Sequence, residues 1–168
     1  HRRQRQMCIR DSVNIGLWLD QETTPQKKIK LLELLDDIKD PIRKMDLLIT
    51  AKNFVCPSLF MADELGKKGG KTWVYQFNRV RDDKLAQKYG AFHGAELPYV
   101  FDTHDEWLPT NNVDKELTRK IQSYWLSFAK TGNPNNGDAV TWPEYDSYND
   151  PTLVLDDEIY QRSHESSE

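Results

Sequence analysis

The sequence predicts an α/β chain that is incomplete as a domain, and three observations predict it. Three stretches, Thr24 to Lys39, Pro57 to Leu65 and the residues from Asn112 to Gly132, read as helices. One run, Thr72-Trp73-Val74-Tyr75-Gln76-Phe77, has the aromatic and β-branched make-up of a strand. That strand and a few weaker ones cannot close a sheet of ordinary size. Neither an internal repeat nor a linker divides the chain.

In the first helix, Ile29, Leu32 and Leu35, with Leu34 and Ile38, recur at spacings of three and four. Thr24 suits the cap and Pro25 the first helical position, and Pro41 is expected to end the element. Its apolar stripe is expected to pack on a neighbouring element. Met45 to Thr50 is short and apolar, either a strand or the entry to another helix. The helix from Pro57 stops at Gly66, and Lys67 to Lys71 form a turn of solvated lysines. In the strand that follows, Trp73, Tyr75 and Phe77 share one face. A polar stretch then leads to a loop around His93. Asn112 or Asp114 opens the strongest helix, with Leu117, Ile121, Tyr124, Trp125 and Phe128 along one stripe and Lys115, Arg119 and Lys130 off it. Gly132 supplies its stop and Pro134 prevents continuation. Trp142 to Tyr148 reads as a turn-rich surface segment, Leu153-Val154-Leu155 as a short strand, and Arg162 to Glu168 as a frayed end.

Hydrophobic residues make up 38% of the 168 and charged residues 30%, so a core is possible but core material is not abundant. Five Trp, seven Tyr and six Phe favour packed structure over disorder. A net charge of -4 gives no electrostatic case for nucleic acid. No apolar run is expected to span a bilayer, and no targeting or lipidation signal is read at the amino end, so the compartment is not assigned. Cys8 and Cys56 make neither a disulfide framework nor a zinc site. Residues 1–12 (His1-Arg2-Arg3-Gln4-Arg5-Gln6-Met7-Cys8-Ile9-Arg10-Asp11-Ser12) clash in composition with the lysine-rich, acidic remainder. The string resembles a conceptual translation of sequencing-adapter read-through in assembled environmental reads, so residues 13–168 are taken as the natural segment.

The run Gly90-Ala91-Phe92-His93-Gly94-Ala95-Glu96-Leu97-Pro98-Tyr99-Val100-Phe101 carries the most chemistry. Glycines around His93 suggest an imidazole held on a tight turn. Imidazole is the side chain whose unperturbed titration lies near neutrality, so a positioned copy can take and return a proton. A lone histidine is more often structural, however, and spacing alone does not make this one catalytic. His93-x-x-Glu96 offers two metal ligands with no third nearby, so no metal is expected, and no other cofactor.

Several segments in fixed order carry a resemblance. They are Phe54-Val55-Cys56-Pro57, the strand Trp73 to Phe77, and the Gly90 to Phe101 run. Then come Tyr124-Trp125-x-x-Phe128-Ala129-Lys130-Thr131-Gly132-Asn133-Pro134-Asn135, Trp142-Pro143-x-Tyr145 and Leu153-Val154-Leu155. Together, over about residues 45–160, they resemble the carboxyl-terminal third of a type-B carboxylesterase, the family that includes the cholinesterases. The resemblance implies the carboxyl-terminal portion of an α/β-hydrolase, helices plus a few edge strands of the central sheet. It implies a serine hydrolase of small carboxylic esters in which His93 is the last member of the triad. Glu96 then matches a buried structural glutamate near the site, and Phe92 is a candidate pocket residue. Cys56 matches a position that is disulfide-bonded in animal cholinesterases, which leaves a free buried thiol or a lost partner open.

No Gly-x-Ser-x-Gly elbow occurs, since Ser12, Ser58, Ser123, Ser127 and Ser147 all lack the flanking glycines. The acid is missing too, with Asp20 or Glu22 in Gly16 to Glu22 as its only loose echo. The chain alone is therefore expected to be inactive, its natural partner being the missing amino-terminal part of the same domain. It is also expected to expose apolar surface at Trp73 and Trp125, and to aggregate. The alternative implied reading is a cholinesterase-like adhesion or binding domain that lacks the nucleophile.

Overall fold

The computed structural model describes residues 15–106, 108–137 and 139–163, and the chain divides into two compact units, residues 1–58 and 59–168. The adapter-like segment 1–12 and most of the expected frayed end lie outside the described residues.

The first unit is helical. Residues 15–22 form α1, Pro25–Leu34 α2, and Pro41–Thr50 α3. A π-helical turn, Ala51–Val55, then leads into α4, Cys56–Lys67. Thr24 caps α2, its side chain accepting from the Lys27 N–H, with Pro25 in the first turn as expected. The helix stops at Leu34 rather than continuing towards Lys39. Hydrogen-bonded turns follow instead, the Leu35 N–H donating to the Leu32 carbonyl and the Ile38 N–H to the Leu35 carbonyl. Pro41 does not end a helix; it begins one. Asp40 caps α3 by accepting from the Ile42 N–H, and a proline at the first position costs no hydrogen bond. Met45 to Thr50 is accordingly helix and not strand. Ile15, Leu19, Leu35 and Leu48 form this unit's buried core, with Trp18, Leu31, Ile38, Met45 and Leu47 packed against it.

Helical residues run from Pro41 to Lys67, a stretch long and apolar enough by length and composition to cross a membrane. One such helix, passing by length and composition only, makes no clear span, so the expectation of none is not overturned. Arg43, Lys44, Asp46, Lys52, Asp63, Glu64 and Lys67 punctuate the stretch.

The second unit is built on a three-stranded sheet. β1 is Tyr75–Phe77, β2 Thr152–Leu155 and β3 Ile159–Arg162, in the order β1-β2-β3. β1 and β2 run parallel with Tyr75 opposite Leu153, and β2 pairs antiparallel with β3, Thr152 opposite Arg162. Every residue of β2 is buried, as the middle strand requires. Three short helices and one long one complete the unit: the end of α4, then α5 (Lys84–Tyr89), α6 (Leu97–Phe101) and α7 (Asn112–Thr131). α7 starts at Asn112 behind an Asn111 cap. The Asn111 side chain accepts from the Asp114 N–H, and the Asp114 carboxylate accepts from the Asn111 N–H. Gly132 ends it at φ 74°, a left-handed conformation that costs a side-chain-bearing residue more.

Leu117, Ile121 and Tyr124 of α7 pack with Tyr99, Trp142, Leu153, Leu155 and Ile159 in one core. Burying a side chain of this size contributes about 1.5 to 3 kcal/mol. Trp142 is buried, not on the turn-rich surface expected for its segment. Its indole N–H donates to the Val74 carbonyl at 3.0 Å, and its ring lies 5.5 Å from both Tyr124 and Trp125. Arg162 is likewise a strand residue and not part of a frayed end.

Trp73 and Trp125 are half-buried against this core rather than exposed. The exposed apolar surface lies elsewhere, at Phe60, Met61, Phe101 and Leu126. Purified alone, the chain is expected to self-associate through these residues, which sedimentation velocity would reveal as species heavier than 19.7 kDa.

Candidate functional site

His93 opens a turn over residues 93–96 that leads directly into α6. Its geometry follows from the sequence around it. Gly90 (φ 67°) and Gly94 (φ 84°) hold left-handed conformations, so the chain can reverse twice within five residues. The Gly90 N–H closes α5 on the Ala86 carbonyl at 2.7 Å. From there overlapping bonds run onward: Ala95 N–H to the Phe92 carbonyl, Leu97 N–H to Gly94, and Tyr99 and Val100 N–H to Glu96. The imidazole therefore rides on a continuous hydrogen-bonded winding and faces solvent.

Phe92 is exposed. Glu96 is half-buried, less than its expected structural role suggested, and it sits at the start of α6 without capping it. Its negative charge, after burial as the larger cause, holds the Tyr75 phenol above its ordinary range. Asp20 and Glu22, the loose echo of an acid, pair with Lys28 (2.6 Å) and with Lys52 respectively. Cys56 is exposed and free, so the buried-thiol reading does not hold. Among the described residues, no three His, Cys, Asp or Glu side chains converge on a metal-sized site.

The sequence reading missed a polar cluster buried under α6. Arg79, just past β1, and Asp114 on α7 have side chains only 3% and 1% exposed, with Nε and Oδ1 2.9 Å apart. The Tyr99 hydroxyl donates to the same Oδ1 at 2.7 Å, and Oδ2 accepts the Asn111 N–H. Asp157 (2.8 Å) and Asp82 (3.4 Å) reach Arg79 from the rim. Burial pushes the Asp114 carboxyl up, but Arg79, the Asn111 N–H and the Tyr99 hydroxyl together hold it below the usual carboxylate range. Burial and the Asp114 bond raise the Tyr99 phenol. One sequence signal could have revealed the cluster: Asp114 and Thr118 lie on the apolar stripe of α7, and a carboxylate at a core position demands a buried cation.

His104 belongs to this cluster and its protonation state is dictated by it. Arg81 Nη2 lies 3.0 Å from Nδ1, and a guanidinium can only donate, so Nδ1 carries the lone pair. Nε2 then bears the proton and donates to Thr118 Oγ1 at 2.7 Å, whose hydroxyl donates to the Asp114 carbonyl. Burial first and Arg81 second depress the ring's titration below the usual histidine range. His104 is a neutral structural ring. A hollow of about 420 Å³ beside it is lined by Asp102, Thr110, Lys115 and Arg119 among others, but not by His93, Phe92 or Glu96.

A sequence model described as the carboxylesterase family matches residues 9–167. Acetylcholinesterase of Gallus gallus is 35% identical over 133 residues, 76% of this chain and 15% of that protein. Para-nitrobenzyl esterase of Bacillus subtilis (strain 168) is 41% identical over 92 residues, 52% of this chain and 18% of that protein. A solved thermophilic PNB esterase superposes with a TM-score of 0.67 at 30% identity, over 82% of this chain and 29% of its own. The chain thus spans under a third of the length of each of these relatives.

Proposed function

The chain belongs to the carboxylesterase family and has part of an α/β-hydrolase fold, and from that premise we propose that it carries the triad histidine, His93, of a serine esterase acting on small carboxylic esters. One observation carries the reading. Of the two described histidines, His93 stands solvent-exposed on the turn that Gly90 and Gly94 shape, whereas His104 is half-buried beside Arg81 and Thr118.

In that role neutral His93 takes the proton of a serine hydroxyl as the oxygen attacks the ester carbonyl. It returns the proton to the leaving alkoxide, which departs as the alcohol and leaves an acyl-enzyme. Water attacks that ester in turn, its proton passing to His93 and then back to the serine. The serine, the acid that orients the ring and the oxyanion-hole donors come from sequence that this chain lacks, so the segment by itself is inactive. Phe92 flanks the reacting groups, and Glu96 joins the turn to α6, its backbone carbonyl accepting the Tyr99 and Val100 N–H groups.

The pH dependence of kcat/KM in a full-length protein carrying this segment tests the reading. Only the neutral imidazole accepts a proton, so activity on a p-nitrophenyl ester is expected to fall on the acid side of the profile. A flat profile from about pH 8 to 5 would remove His93 as the base.

A further inference from the structure

We propose that Tyr99, through its buried bond to Asp114, is a positioning residue for His93; this rests on the assignment of His93 as the base. The turn that presents His93 is wound by backbone hydrogen bonds that run on into α6. What fixes it is the winding from Phe92 to Val100, and that winding ends on α6, a helix of five residues, too short to hold its place by its own hydrogen bonds.

Tyr99 is the buried residue of α6, and four groups from other parts of the chain grip it. Its hydroxyl donates to Asp114 of α7 at 2.7 Å. The Arg81 guanidinium lies over its ring at 4.8 Å, the His104 ring meets it edge-on at 5.1 Å, and Phe77 of β1 lies 5.1 Å away. The other flank of the His93 turn leads to the same anchor. α5, which the Gly90 N–H closes, is tied back by Gln87 Nε2 donating to the Arg81 carbonyl. Arg79 completes the link to the sheet, because its backbone N–H bonds the Leu155 carbonyl while its side chain holds Asp114. The end of the sheet and the amino end of α7 are thus linked to Tyr99 through Asp114, and the α5 flank of the His93 turn through Arg81.

Positional freedom in a general base lowers the fraction of encounters with aligned reacting atoms, and an ångström of misplacement can cost about a hundredfold in rate. Loss of one anchoring hydroxyl is a smaller insult. In the full-length protein, Tyr99→Phe is expected to lower kcat about tenfold while KM stays within about twofold, because the ring and its packing remain. Arg81→Lys, which keeps the charge but loses the flat contact with Tyr99 and the bond to His104, is expected to lower kcat about threefold. Tyr145→Phe is the control, since it deletes an equivalent bond, hydroxyl to Asp150 at 2.7 Å, in the segment before β2. It is expected to leave kcat unchanged. Titration with a fluorophosphonate would express each kcat per competent site. If Tyr99→Phe and Arg81→Lys keep wild-type kcat per site, whatever their melting temperatures, the positioning role is overturned. If His93→Ala itself retains activity, the underlying assignment fails instead.

Discussion

His93→Ala in a full-length protein carrying this segment is expected to lower kcat on a short-chain p-nitrophenyl ester by about 10⁴-fold or more, with KM little changed. The size follows from the number of steps the ring serves. As the proposed base it would move a proton in acylation and again in deacylation, and no other described histidine is placed to replace it, because both ring nitrogens of His104 are engaged, with Arg81 and Thr118. Oxyanion-hole donors and substrate binding would still leave a residual rate above that of water. The fold should not suffer. The His93 ring is exposed, and backbone hydrogen bonds and the positive φ of Gly90 and Gly94 remain in the variant to hold its turn. Circular dichroism identical to wild type beside the lost activity is the expected pair of results. Activity within tenfold of wild type would sink the assignment.

The turn under His93 was legible because glycine spacing and backbone conformation are local properties. The long helix was legible for a related reason: its stripe, its Asn111-to-Asp114 capping box and its Gly132 stop all act within a few residues. Elements whose identity depends on a partner were not. β3 is four residues long with one buried side chain, and it is a strand only because β2 lies beside it. Trp142 sits among turn residues in sequence, yet the Val74 carbonyl and three aromatic rings bury it. Pro41 looks like a stop because proline cannot continue a helix, whereas Asp40 before it makes the same residue a start. The site divides the same way. His93 has chemistry that any histidine shares, and its neighbours do not single it out; the ordered segments on either side did, through family resemblance. The Arg79–Asp114–Tyr99 cluster joins positions 35 and 15 residues apart, and no local pattern spells that out.

Asp114→Asn is expected to destabilise the folded protein by about 3 kcal/mol at neutral pH, the lower end of the range for breaking a buried ion pair by removing one partner. The amide cannot satisfy the site in either orientation. With its oxygen toward Arg79 and Tyr99, its NH₂ faces the Asn111 N–H; reversed, it faces two donors instead of one. Arg79 meanwhile stays buried with its charge answered only from the rim, by Asp157 and Asp82, which are themselves mostly exposed. Those two carboxylates place the expected loss at the low end. Arg79→Met combined with Asp114→Asn should recover part of it, because the orphaned cation goes too, and the double-variant cycle measures that coupling. The pH dependence separates charge from shape. A carboxylate held below its unfolded range contributes stability that is fully present above the unfolded value of about 4 and is lost as pH falls through the folded one. The gap between wild type and Asp114→Asn should therefore be widest near pH 7 and narrow in strong acid. His104, also depressed on folding, adds an acid-side loss to both proteins, somewhat greater in Asp114→Asn because the Asp114 charge opposes that depression. Denaturant melts of both proteins across that pH range would read it. A neutral-pH loss below about 1 kcal/mol, the level of a surface ion pair, would mean that the cluster is not the structural joint described here.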